Sequence, residues 1–217
     1  MLLITLGNIE LASNTYHHGE LKSSLIEAAK SLLKRDGADA LSLRSIAADV
    51  GVSHMAPYSH FKNKKELVQA IVASGFEELA DNMEMDSKDY QEPYDLILSY
   101  GSTYVEFAIA NPQLYRLMVG QVETGGKRNA TENTADNNTK EMPSNLDKSA
   151  KRTFELLRNA FAVVYKDKSI ISAQAFGAWA LVHGMAALII EGHFVIPEGI
   201  SIKNFLAMSV IRSPQAL

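Results

Sequence analysis

The chain has 217 residues, 47% of them hydrophobic, enough to bury one sizeable core or two smaller ones. It has no cysteine, which excludes a disulfide framework and any thiolate metal site and makes a reducing cytoplasm the expected compartment. The formal net charge of −4 argues against a surface that grips phosphate all over, so the distribution of charge matters more than its sum.

Residues 1–12 are apolar but carry no Lys or Arg ahead of the apolar stretch and include Glu10, which argues against a secretory signal; residues 1–15 are read as a disordered arm. A first helix is expected from Glu20 to Arg35, with Leu21, Leu25, Ala28, Ala29 and Leu32 on one face and Asp36-Gly37 ending it. Ser42 then caps a short helix carrying Ile46, Ala47 and Val50, and Gly51 stops it where a left-handed residue is wanted. Two residues later the chain restarts. Ser53 is placed to cap a second short helix with Tyr58 and Phe61 three apart, and Pro57 inside its first turn removes a backbone donor and predicts a loose start. Asn63 and Glu66 form a capping box for a long helix from Lys64 to Met83, on which Leu67, Ile71, Gly75 and Leu79 fall four apart.

Two short helices with a tight turn between them are the arrangement that lays one helix in the DNA major groove. On that reading Ser53, His54 and Met55 lie at the end that meets base edges, while Arg44 and Lys64 flank it as phosphate contacts, and Ser42, at the cap of the first helix, is counted with the DNA-binding residues. Charge is consistent with this. Residues 16–70 hold eight basic and six acidic side chains, a net +2, leaving −6 for the rest, so a modestly basic head sits on an acidic body.

Past a polar stretch over 84–92, Pro93 suits the first turn of a helix that carries Leu96 to Ile109 and breaks at Asn111-Pro112; a shorter helix spans Gln113 to Val119. Residues 120–147 shift to Gly, Asn, Thr, Asp, Glu and Lys and are expected to be a mobile loop. Helical spacing resumes from Lys148 to Lys166, then Ile170 to Ile190 is apolar on every side, and a last helix spans about Ser201 to Ile211. Nothing alternates with period two over a useful length, so the fold class is all-α: a helix-turn-helix domain over 16–80 and a helical effector-binding and dimerisation domain over 81–217.

Ile170 to Ile190 is 21 residues, long enough to span a bilayer. Against that, it contains Gln174, His183 and eight Ala or Gly positions and lacks strong flanking anchors; an all-round apolar helix is expected to be buried, with Ala173, Gly177, Ala180 and Gly184 letting a partner helix approach in a homodimer. No membrane partner is expected. Tyr104, Phe107, Tyr115, Met118 and Trp179 could line an apolar cavity for a small effector, with His183 as polar anchor, although aromatic stripes more often build cores. No nucleophile and base, no His and carboxylate cluster with metal spacing and no phosphate loop can be read, so neither catalysis nor a cofactor is expected; a small helical enzyme is the second functional class.

The run from Tyr16 to Leu79 resembles the DNA-binding domain of TetR-type transcriptional regulators, through Ser42, Arg44, Ile46-Ala47, Gly51-Val52-Ser53, Tyr58, His60-Phe61 and Lys64. Trp179, His183 and Gly184 resemble the C-terminal signature of the subgroup named for its Trp-His-Gly motif, which YHHGEL at 16–21 and APY at 56–58 also fit. The resemblance implies a homodimeric repressor that binds double-stranded operator DNA and leaves it when a small molecule binds the C-terminal domain. It also implies that Tyr58 and His60 hold the DNA backbone and that a proline at position 57 is tolerated.

Overall fold

A computed structural model describes residues 18–86, 92–125 and 145–209, and over these the chain forms eight α-helices and no strand. The proposed arm over 1–15 lies outside the described residues. Helix α1 (His18–Asp36) buries Leu25, Ala29, Leu32 and Leu33 and ends as the Gly37 N–H bonds the Leu33 carbonyl at 3.0 Å. A single 3-10 turn over Ala38–Ala40 leads to α2 (Leu43–Val50). Helix α3 (Lys64–Asp86) then runs unbroken out of the N-terminal head into the body, so no linker divides the two.

The body adds α4 (Pro93–Ala110), α5 (Pro112–Gly125), α6 (Asn145–Val164), α7 (Lys168–Ile190) and α8 (Ile202–Ser209). Thus the loop expected over 120–147 is helical at both ends, and its middle lies outside the described residues. The break at Asn111 is as expected: its amide N–H and its side-chain Nδ2 both bond the Phe107 carbonyl, and Pro112 starts the next helix. Helix α7 is capped by Asp167, whose carboxylate accepts the N–H groups of Ser169 and Ile170.

Helix α3 packs along α6 and touches α1, α4 and α5, while α4 is sandwiched by α7 and α8. The main core runs from Leu25 in α1 through Ile71 and Leu79 in α3 to Leu206 in α8, and Leu157, Phe161, Ile171 and Ala175 form a smaller cluster between α6 and α7. Gly75 is what lets α5 lie against α3, since a Cβ there would stand 2.9 Å from Met118 Sδ and 3.2 Å from both methyl carbons of Leu114. On the α6 side, Arg152 donates to Glu77, Asp81 and Glu84, spaced along one face of α3, and the Ser149 hydroxyl donates to Glu77 at 2.6 Å. Individually exposed ion pairs contribute little, but three carboxylates converging on one guanidinium fix the register of α6 on α3.

Within the single chain α7 is buried on one face only. Ile171, Ala175, Val182, Met185 and Ala186 face inward against α4 and α6, and the opposite face, Ala173, Phe176, Gly177, Ala180, Gly184 and Leu188, is exposed. The reason is position: α7 lies at the edge of the bundle, and a single chain supplies helices to only one of its sides. By length and composition alone it could cross a membrane.

Candidate nucleic-acid interface and effector site

The helix-turn-helix is built from local hydrogen bonds that the sequence anticipates at its first half. The Ser42 hydroxyl accepts the Ser45 N–H at 3.0 Å while the Ser45 hydroxyl accepts the Ser42 N–H at 3.2 Å, a reciprocal capping box. Ser42 is thereby engaged in setting α2. Gly51 takes the left-handed conformation with φ 77°, and the Val52 N–H closes back on the Ala47 carbonyl at 3.0 Å.

The second half differs from expectation. In place of an α-helix capped by the Ser53 side chain, the chain makes a four-residue 3-10 turn, Ala56–Ser59, with no side-chain cap; Ser53 contributes its backbone carbonyl, which accepts the Ala56 N–H at 2.9 Å. Nor does Pro57 loosen it. The N–H groups of Ala56 and Tyr58 bond on either side, so proline forgoes only the bond between them, and its ring is fully buried. Phe61, 2% exposed, lies one turn on and donates its N–H to the Pro57 carbonyl at 2.9 Å. Two buried rings thus hold the turn and present the other side outward.

That outward side carries Ser53, His54, Met55 and Tyr58, all exposed. Arg44 is exposed in the first turn of α2 and makes no ion pair among the described residues. Lys64 is exposed at the start of α3, where its ammonium donates to the Ala38 carbonyl at 3.3 Å and ties α3 to the turn before α2. His60 is half-buried and lines a groove of about 450 Å³ between α1 and α3, on the inner side of the reading turn. The Asn63 and Glu66 pair forms with a shift of one residue: the Asn63 side chain accepts the Glu66 N–H, while the Glu66 carboxylate accepts the N–H of Lys62.

In the body, four of the six proposed effector residues meet in one knot. Tyr104 Oη lies 3.0 Å from His183 Nε2, the Tyr115 hydroxyl donates to the His183 carbonyl at 3.2 Å, and the Trp179 ring meets the imidazole edge-on with centroids 4.8 Å apart. Phe154, which sequence reasoning missed, packs on Trp179 with centroids 5.3 Å apart. Phe107 and Met118 are buried in the same core, Met118 beside Gly75. Arg152 is not read from sequence either: Glu77, Asp81 and Glu84 share one face of α3, but their spacing does not name the cation that meets them.

Burial raises both phenols above the ordinary tyrosine range, so each keeps its proton and can donate. Burial also lowers the His183 imidazole, only partly offset by the Trp179 backbone one turn back, and its Nδ1 is buried without a well-formed hydrogen bond. A neutral histidine follows, with a pH dependence of known sign. Below its ordinary value of 6.5 the unfolded chain takes up a proton that the folded chain refuses, so His183 costs stability as pH falls and nothing above that range. His183→Gln is therefore expected to lose less stability than wild type between pH 7.5 and pH 5, measured by urea denaturation; parallel losses would remove the effect from this residue.

Comparison with known proteins gives a consistent picture. Residues 25–71 match the family model for bacterial regulatory proteins of the tetR family, and residues 97–206 match the model for the tetracyclin repressor-like C-terminal domain. The chain is 26% identical over 201 residues to the uncharacterized HTH-type transcriptional regulator YobS of Bacillus subtilis (strain 168), spanning 90% of this chain and 95% of YobS. A solved protein of unknown function from Rhodococcus sp. RHA1 superposes with a TM-score of 0.68 at 26% identity, over 90% of this chain and 94% of that one. The TetR family transcriptional regulator PfmR from Thermus thermophilus shares the fold, with a TM-score of 0.52 at 18% identity over 85% and 93% of the two chains.

Proposed function

The chain belongs to the TetR family and is a DNA-binding transcriptional regulator rather than an enzyme, and from that premise we propose that it is a cytoplasmic homodimeric repressor released from its operator by a small apolar effector. Residues 16–80 serve as the reading head and 81–217 as the effector and dimer body. The observation that carries this reading is the pairing of two exposed surfaces on one chain whose head and body share the unbroken helix α3: the reading turn in the head and an apolar stripe on α7 in the body.

A second copy covering α7 supplies what the single chain lacks. The small residues Ala173, Gly177, Ala180 and Gly184 permit close approach, and a two-fold axis there repeats the reading turn for the second half-site. Lipid is the other apolar partner for such a helix, but α7's inner face is packed in the core, which leaves no isolated span to insert. In the head, Ser53, His54 and Met55 face base edges, Arg44, Tyr58 and Lys64 hold phosphates, His60 backs the turn, and Ser42 aims the end of α2.

The effector engages the knot of Tyr104, Tyr115, Trp179 and His183. Its expected chemistry is apolar with one polar group, because the residues it would meet are aromatic rings, with the Tyr104 and Tyr115 hydroxyls and the His183 imidazole among them. Phe107 and Met118 extend the lining toward α3, the helix that reaches the head. To release DNA the effector must bind the DNA-incompetent arrangement more tightly than the competent one.

Selection of duplexes from a random pool by the purified protein tests the head; an inverted repeat is expected, and retention of no sequence preference would defeat the operator reading. Arg44→Ala is expected to weaken binding to every duplex alike and to reduce the slope of log affinity against log salt by about one per half-site. An effect confined to one base position would instead make Arg44 a base reader. For the body, a compound that frees operator should raise the melting temperature of the free protein, and saturating operator should weaken that compound by the same factor. Calorimetric titration with and without operator, on wild type and His183→Ala, decides both points: equal affinities in the two titrations would defeat the switch.

A further inference from the structure

Among the described methionines, Met55 is the most exposed, at 72%. Its backbone is fixed: it precedes the 3-10 turn with φ −88° and ψ −19°, and its carbonyl accepts the Tyr58 N–H at 3.1 Å. The side chain therefore leaves a rigid base, while its unbranched thioether adapts to what it meets. Between residues 53 and 59 the exposed side chains are Ser53, His54, Met55, Tyr58 and Ser59, and of these Met55 alone carries no hydroxyl or ring nitrogen, the Tyr58 ring bearing a phenol. The Ser59 hydroxyl is already spent on the Ala56 carbonyl at 2.7 Å. Pro57 is fully buried as the anchor of the turn. The outward surface thus offers hydrogen-bonding groups at 53, 54 and 58 around the one side chain that has none, the Met55 thioether.

In the major groove every base pair presents donors and acceptors, but the only methyl group on a base edge is the C5-methyl of thymine. A thioether has no donor and only a weak acceptor, so it gains nothing against the polar edges of the other bases and loses their hydration. We infer that Met55 reads the C5-methyl of one thymine in each operator half-site. The inference rests on the operator-reading function proposed above and adds the base that this residue selects.

The test uses the full-length protein and the best duplex from the random-pool selection. Each thymine is replaced in turn by deoxyuridine, which removes the methyl and leaves every hydrogen-bonding group in place. One position per half-site is expected to lose about fourfold in affinity, the worth of one buried methyl, and about sixteenfold when both half-sites are changed together. In Met55→Ala the thymine and deoxyuridine duplexes should bind alike, and Met55→Leu, which stays apolar, should keep most of the preference. Deoxyuridine tolerated at every position, or a loss that persists unchanged in Met55→Ala, would overturn the assignment. A protein that retains no duplex with any sequence preference would overturn the operator reading itself, so the two failures are separable.

Discussion

Phe61→Ala is expected to lower the unfolding free energy by about 3 to 5 kcal/mol, the range for emptying a buried phenylalanine site. The ring is 2% exposed and closes the reading turn from beneath together with Pro57, and Lys22 Nζ stands 6.0 Å from its centroid on the α1 side. Its neighbours in the head, Leu25, Ile46 and Leu67, are all fully buried and belong to helices fixed by other contacts, so the site has little freedom to collapse. Domains of this size are stable by about 5 to 15 kcal/mol, so the loss is a large share of the total. Urea denaturation should show a lower midpoint with an unchanged slope, and Phe61→Leu, which keeps most of the volume, should lose under about 1.5 kcal/mol. A loss under about 1 kcal/mol for the alanine variant would mean that the ring does not anchor the turn.

The parts of this fold that are legible in sequence are those set by neighbours within a turn or two. Ser42 announces α2 because a hydroxyl three residues before a free N–H is sufficient geometry for a cap, and Gly51 ends it because a left-handed residue is needed there. Asn111-Pro112 breaks α4 from α5 for an equally local reason. The recognition element misleads because a proline weakens an isolated first turn, but here its ring fills the core and the turn needs no more than 3-10 bonds. The contacts that organise the body are non-local. Arg152 meets Glu77 and Glu84 across 75 and 68 residues, and Tyr104 meets His183 across 79, distances over which no periodicity carries information.

Helix α7 shows a different limit. An apolar surface reads the same in sequence whether it will be covered by its own chain or by another, so all-round apolarity gives a buried helix, and only the small residues Ala173, Gly177, Ala180 and Gly184 mark a face for a partner helix. Position in the bundle separates the two faces, with Val182 and Met185 inward and Phe176, 63% exposed, outward.

Gly184→Arg is expected to turn the dimer into a monomer and to lower operator affinity by about 10²- to 10⁴-fold, the advantage that linking two half-site contacts confers. The substitution is chosen because the single chain has room for it. Nothing lies within 4 Å of a Cβ built at Gly184, the position is helical, and arginine favours a helix over glycine by about 0.8 kcal/mol. Misfolding therefore cannot account for a loss, and far-UV circular dichroism should be unchanged. In the dimer the same side chain would push a charge into the seam where Ala173, Gly177 and Ala180 let two helices approach, and a charge without a partner there is costly to bury. Sedimentation equilibrium should report the monomer mass, and binding to a single half-site should match that of wild type, because the reading turn is untouched. A variant that keeps the dimer mass and full operator affinity would move the interface off this face of α7, leaving the exposed stripe to a partner other than a second copy of the chain.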